Sequence, residues 1–260
     1  VAVAVLAAAL RGAAPDAVTR VAALREVIWF YTALTIGSAL LCGAVLPPSS
    51  PAGAPHAGGG RVHRVAGRRL WLQAAVVVAA YCGYKGLDNY ALYLVAAFGM
   101  DEVDAAGVLA GAAWLRPLAA LGAGLLADRY RPSRTLAALF VLAAASALAL
   151  ALLTPAPALR AVVLGQVLLS VAAVYALRGV YFALLEETAV PGTRTGFAVG
   201  LISVVGFTPD VFFAPLTGRL LDADPGLGGL QQYYLLLSVI ALLGLLAVAG
   251  LARPPRAPAG

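Results

Sequence analysis

Charge is what this sequence has least of. Only 12% of its 260 residues are charged, while 62% are hydrophobic. A soluble globular domain is about 25% charged and about 45–50% apolar, so the shortage excludes an ordinary water-soluble fold. The net charge of +6 is not a nucleic-acid footprint either. It comes from arginines in short polar connections, while the aromatic residues lie in the apolar runs. Cysteine is nearly absent. Cys42 and Cys82 both fall inside apolar runs, which excludes a disulfide framework and makes them small core residues. The only histidines, His56 and His63, sit in one polar stretch. No apolar run therefore offers a histidine-containing metal site or a serine–histidine pair, and no Gly-x-Gly-Asp aspartate pair appears. An enzyme, a cofactor and a bound metal are not expected. Lys85 is the only lysine, which a GC-rich coding bias is enough to explain.

What is present is a series of apolar stretches near twenty residues long. Each can cross about 30 Å of hydrocarbon as a helix. The first complete span is expected at 26–46, after a polar connection at 11–25. Six more follow at 70–98, 103–127, 135–153, 159–185, 196–221 and 232–251. Residues 1–10 would cover only about 15 Å as helix and lack the flanks of a signal peptide. They read as the tail of a helix whose beginning is missing, so the chain is expected to be a fragment. The stretch 49–60, rich in Pro, Gly and Ser, reads as a flexible linker. Arg61, Arg64, Arg68 and Arg69 follow it and suit anionic lipid headgroups as well as orientation.

Basic residues alternate between connections. Segment 49–69 holds four arginines, 128–134 three, 186–195 one and the tail 252–260 two, while 99–102, 154–158 and 222–231 hold none. The arginine-bearing set belongs in the cytoplasm. Segment 11–25, with three basic residues on the expected outer side, is discordant.

An ionisable side chain at bilayer depth costs about 2.5–3.5 kcal/mol on insertion scales, so those inside the spans are placed for a reason. Taken as two triplets, the six later spans show a pattern. The leading spans carry Lys85 with Asp88, and Arg178. The second spans carry Arg116, and Asp210. The third spans carry none. Two inverted three-helix repeats would leave this trace, with the third helices facing lipid and the others lining a cavity. Tyr81, Lys85 and Asp88 share a helix face, and Asn89 extends it. Gln166, Tyr175, Arg178 and Tyr181 give the fourth of these spans a similar texture. Pro209 and Pro215 make a hinge plausible beside Asp210. Two readings compete: Lys85–Asp88 and Arg178–Asp210 ion pairs that hold a bundle together, or a polar lining for a translocation path. On the second, Asp88 or Asp210 is the candidate carrier of a coupling proton.

Gly124, Asp128, Arg129 and Arg134, in the pattern Gly-x-x-x-Asp-Arg-x-x-x-x-Arg between a second and a third helix, resemble the cytoplasmic signature loop of the major facilitator superfamily. The resemblance implies that the acid pairs with an arginine and caps a neighbouring helix, latching an outward-facing state. These residues would then form a gate. Arg131 and Pro132 stand where that family usually has glycine and a further base. Pro191, Arg194, Gly196 and Gly200 look like the family's second cytoplasmic gate segment. The stretch 178–222 is similar to that of bacterial members near the nitrate/nitrite and sugar-phosphate transporter groups. The likeness implies an all-α, polytopic protein of the bacterial inner membrane. Residues 1–46 would end an amino-terminal bundle, with one partial and one full span. Residues 47–69 would be the central cytoplasmic linker, 70–251 a carboxy-terminal six-helix bundle, and 252–260 a cytoplasmic tail. The implied activity is secondary active transport of a small polar, anionic solute by alternating access, coupled to a proton or ion. The partners would be that solute, membrane lipids and the missing amino-terminal half, with no nucleic acid.

The alternatives are a seven-helix receptor-like protein and a structural membrane protein or pore. Asp128, Arg129 and Tyr130 close the third full span as in rhodopsin-like receptors. However, the last span lacks Asn-Pro-x-x-Tyr, and the outer end of the third lacks a cysteine.

Overall fold

A computed structural model describes residues 17–45, 67–187 and 195–252. Contacts divide the chain into two units, Val1–Gly60 and Arg61–Gly260. Among the described residues, every regular element is helical. Seven stretches are long and apolar enough to cross a membrane. The chain is an all-α polytopic membrane protein.

The first unit contributes helix α1 (Ala17–Val45). It begins well before position 26, so part of the expected polar connection is helical. Thr32, Thr35 and Ser38 turn their hydroxyls back onto the carbonyls of Ile28, Tyr31 and Leu34, each at 2.8 Å. This satisfies polar groups within an apolar helix. Residues 1–16 and the linker 46–66 lie outside the described residues.

The second unit holds six spans. The first comprises α2 (Arg68–Gly86), a 3₁₀ turn (Leu87–Asn89) and α3 (Tyr90–Phe98). Gly99, at φ 60°, closes it in the left-handed conformation that glycine adopts freely. Asp101 then caps α4 (Glu102–Ala112), accepting from the Val103 N–H at 3.0 Å. The second span continues through α5 (Leu115–Tyr130), and α6 (Pro132–Leu152) is the third. The fourth runs through α7 (Arg160–Val180), a 3₁₀ turn (Tyr181–Ala183) and α8 (Leu184–Glu187). The fifth is α9 (Thr195–Gly206) followed by α10 (Pro209–Ala223), and the sixth is α11 (Leu227–Ala252). Most of these helices extend a few residues past the apolar segments into their polar flanks.

Packing follows a reciprocal scheme. Helix α2, leading the first triplet, packs on α9 and α11 of the second; α7, leading the second, packs on α5 and α6 of the first. The third helices α6 and α11 pack on each other. This is the connectivity of two three-helix repeats running in opposite senses. Small residues allow the close approaches, as in other membrane bundles. A Cβ at Gly206 would run into Val77, and one at Gly244 into the ring of Phe140. Ser238 donates to the Ala144 carbonyl at 3.0 Å, and Gln166 to the Ser146 hydroxyl at 2.7 Å. Each third helix also turns an apolar face outward, with Val141, Leu148 and Leu152 on α6 and Val239, Leu242 and Leu246 on α11. The second spans are the least buried of the six.

The core has two layers. One includes Leu70, Ala127, Leu184 and Leu251 at the arginine-bearing end. The other, at the opposite end, is built on Tyr90, Tyr93, Tyr233 and Tyr234, whose rings meet edge-on or tilted. Tyr90 shares a hydrogen bond with the Ser170 hydroxyl, while Tyr93 and Tyr233 donate to the carbonyls of Leu150 and Gly86 at 3.3 Å. The Tyr234 hydroxyl is buried with no partner among the described residues. Removing a buried, unpaired polar group relieves a desolvation cost, whereas removing a paired one loses about 1 kcal/mol. Tyr234→Phe is therefore expected to leave the melting temperature unchanged or raised, and Tyr90→Phe to lower it. Thermal melts of the two variants check this.

Candidate functional site

Sequence places breaks where charge is needed. Pro117 and Pro209 each lack the N–H that would continue a helical ladder. In the second span the helix loosens into a turn at Ala113 and Trp114, and Arg116 N–H bonds to the Ala113 carbonyl at 3.1 Å. In the fifth, Phe207 and Thr208 form the matching turn, and Asp210 N–H bonds to the Phe207 carbonyl at 3.1 Å. The Thr208 hydroxyl takes up the Val205 carbonyl at 2.7 Å, the one that Pro209 leaves without its helical donor. The expected hinge is thus at Pro209; α10 continues through Pro215. Both second spans are interrupted beside their charged residue, and both leading spans contain a 3₁₀ turn. The third helices α6 and α11 are unbroken. Interruptions at corresponding places in two repeats mark the binding region of many carriers.

The charged side chains converge there. Lys85 Nζ lies 3.2 Å from Asp210 Oδ1, and the Tyr81 hydroxyl donates to Asp210 Oδ2 at 2.8 Å. The pair is part open, with side-chain exposures of 28% for Lys85 and 49% for Asp210. The Arg178 guanidinium packs over the Tyr84 ring at 3.9 Å and lies 5.6 Å from that of Tyr81. Tyr81 also meets Phe207 edge-on at 4.9 Å. Arg116 lies 6.0 Å from the ring of Tyr175, one turn from Arg178 on α7. Among the described residues, neither arginine has a carboxylate partner.

The pairing corrects the expected one: Lys85 pairs with Asp210, not Asp88, and Arg178 rests on tyrosine, not Asp210. Register between helices decides this, and no single helix carries that information. Asp88 is exposed, with no ion pair among the described residues. Asn89 faces the Tyr233 hydroxyl. Sequence reasoning missed Tyr84 and Phe207. Tyr84, three residues after Tyr81, was recoverable from helical spacing; Phe207 was not.

The signature residues sit at the arginine-bearing end. A groove of about 840 Å³ is lined there by Asp128, Arg129, Arg131, Arg134, Glu186 and Glu187, among others. The carboxylate on the N-terminus of α6 is Glu187, accepting from the Ser133 N–H at 3.0 Å; Asp128, expected to cap a neighbouring helix, makes no such bond among the described residues. Arg129 donates to the Tyr130 hydroxyl at 3.3 Å. Gly124 meets nothing within 4 Å of an added Cβ. Arg131 has φ 82° and ψ 140°, in the region that favours glycine, at a strain of about 1–3 kcal/mol. Arg194 lies outside the described residues. Two further arginines, Arg160 and Arg219, lie toward the opposite end, inside the expected spans 159–185 and 196–221. The alternation of charge is therefore less complete than the connections alone imply.

A bundle of spanning helices with an ionic centre defines a multi-pass membrane protein. Inner membrane protein YqcE of Escherichia coli (strain K12) is 30% identical over 183 residues, covering 68% of this chain and 42% of that protein. Inner membrane protein YihN of the same strain is 28% identical over 183 residues, covering 68% and 43%. The chain spans less than half the length of these relatives. No family model matches it, and no solved structure does. With these relatives and its spanning helices, the chain is a multi-pass protein of the inner membrane.

Proposed function

We propose that this chain forms part of a secondary active transporter of the major facilitator superfamily. It moves a small polar, anionic solute by alternating access, coupled to a proton or ion. One observation carries the reading. Lys85, Arg116, Arg178 and Asp210, from four spans, gather beside matched helix interruptions, while α6 and α11 remain continuous and contribute no charge there. A merely structural ion pair needs two of these groups and no interruptions. Two arginines with no carboxylate in ion-pair contact among the described residues favour an anion. The end bearing Arg129 and Arg134 is cytoplasmic by the positive-inside rule, and the groove there is the gate that the signature loop implies. Arg131, held where glycine is favoured, occupies the turn where the family usually has glycine.

The test is uptake of anionic metabolites by the full-length protein in proteoliposomes. Lys85→Met is expected to reach the membrane in normal amount and lose flux. Normal flux in that variant, or no flux of any anion by the wild type, overturns the reading. Liposomes holding only these 260 residues are expected to show none, since rocking requires a second bundle.

A further inference from the structure

We propose that Asp210 is an internal rival of the solute: its carboxylate occupies the place at Lys85 that the solute's oxyanion group takes on binding. This rests on the carrier reading above.

Asp210 is fully engaged, one oxygen on Lys85 and the other on Tyr81. Arg178 is not. It is tied to the same group through the Tyr81 ring, yet makes no hydrogen bond or ion pair among the described residues. A guanidinium lying over an aromatic ring keeps its N–H fork free for a carboxylate or phosphate in its own plane. An entering oxyanion can therefore bridge Arg178 and Lys85, gaining two charge-assisted contacts where Asp210 has one cation. The incumbent is replaceable because an ion pair this open to solvent contributes little. Asp210 is also free to withdraw, because it starts a helix directly after the turn at Phe207 and Thr208.

Withdrawal leaves a carboxylate at mid-span without its cation. It takes a proton from water on the open side, so anion and proton enter together. The groups that act on Asp210 are Tyr81 and Lys85 on α2 and Arg178 on α7. Among them only Lys85 and Arg178 carry charge at neutral pH, and both favour the anion. Asp88, one turn beyond Lys85, has no ion pair among the described residues and is not exchanged.

The probe is radiolabelled sulfate, a tetrahedral oxyanion whose charge is constant between about pH 5 and about pH 8, with full-length protein in detergent and folding checked by thermal melts. Asp210→Asn keeps the acceptor for Tyr81 and removes the rival charge. It is expected to bind sulfate about tenfold more tightly than wild type near pH 8. Wild-type affinity should rise as pH falls, while that of Asp210→Asn stays flat. Lys85→Met should weaken binding at every pH. If Asp210→Asn matches the wild type in affinity and pH profile, while Arg178→Ala abolishes binding, the exchange is wrong and the anion site stands. If sulfate binds neither wild type nor Asp210→Asn, the anion reading falls with it.

Discussion

Arg178→Ala is expected to lower solute flux by about a hundredfold, equivalent to ~2.7 kcal/mol, without reducing the protein in the membrane. The two effects separate because of what Arg178 touches. Its contacts are the faces of Tyr84 and Tyr81, and a solvent-accessible cation–π contact contributes only about 0.5–1 kcal/mol to folding. Its removal breaks no ion pair among the described residues. The loss at the site is larger, because the uncompensated charge and its planar fork disappear together. Arg178→Lys keeps the charge and loses the fork, so intermediate flux is expected. Uptake normalised to membrane-inserted protein checks both. Wild-type flux in Arg178→Ala would remove Arg178 from any role in solute binding.

Gly244→Leu is expected to have the largest structural effect. A Cβ there meets the Phe140 ring at once and comes within 2.8 Å of Ala79 Cβ. Phe140 is wholly buried and cannot swing aside, so α11 must move away from α6 and α2 together. Overpacking of this kind costs about 1–3 kcal/mol for modest insertions and more for large ones. Loss of the monodisperse peak in size-exclusion chromatography is the expected result. Gly122→Ala is the control. Its Cβ would meet nothing within 4 Å, and alanine should add about 0.5–1 kcal/mol of helix stability. A well-folded Gly244→Leu would mean that the α6–α11 contact is not a fixed part of the bundle.

The spans were legible because hydrocarbon thickness acts on a local property, the length of an apolar run. The six later spans fall where hydropathy places them, within a few residues, while α1 begins well before its apolar segment. The intramembrane charges were legible for the same reason: in a sequence this apolar they stand out singly. Partners were less so. Nothing in α2 indicates that Lys85 reaches across to Asp210 rather than along its own helix to Asp88. The interruption at Phe207 and Thr208 was half legible, since two prolines flagged the span while only packing selects Pro209 over Pro215. The carboxylate on the N-terminus of α6 was not legible. Glu187 is distant in sequence and reaches Ser133 only once the fourth and third spans lie together. The reciprocal packing of α2 and α7 across the triplets leaves a trace in composition, but the composition does not say which helices touch.

The unbroken pair α6 and α11 sets what the rest of the bundle can do. These two rods, stitched by alanine, glycine and serine contacts and charged only at Arg134 near one tip, have no joint at which to bend. In the proposed carrier, displacement around the ionic centre would fall on the four jointed spans, as a shutter swings on a fixed post. Mechanical compliance is thereby separated from load-bearing along the chain itself, one rod to each triplet.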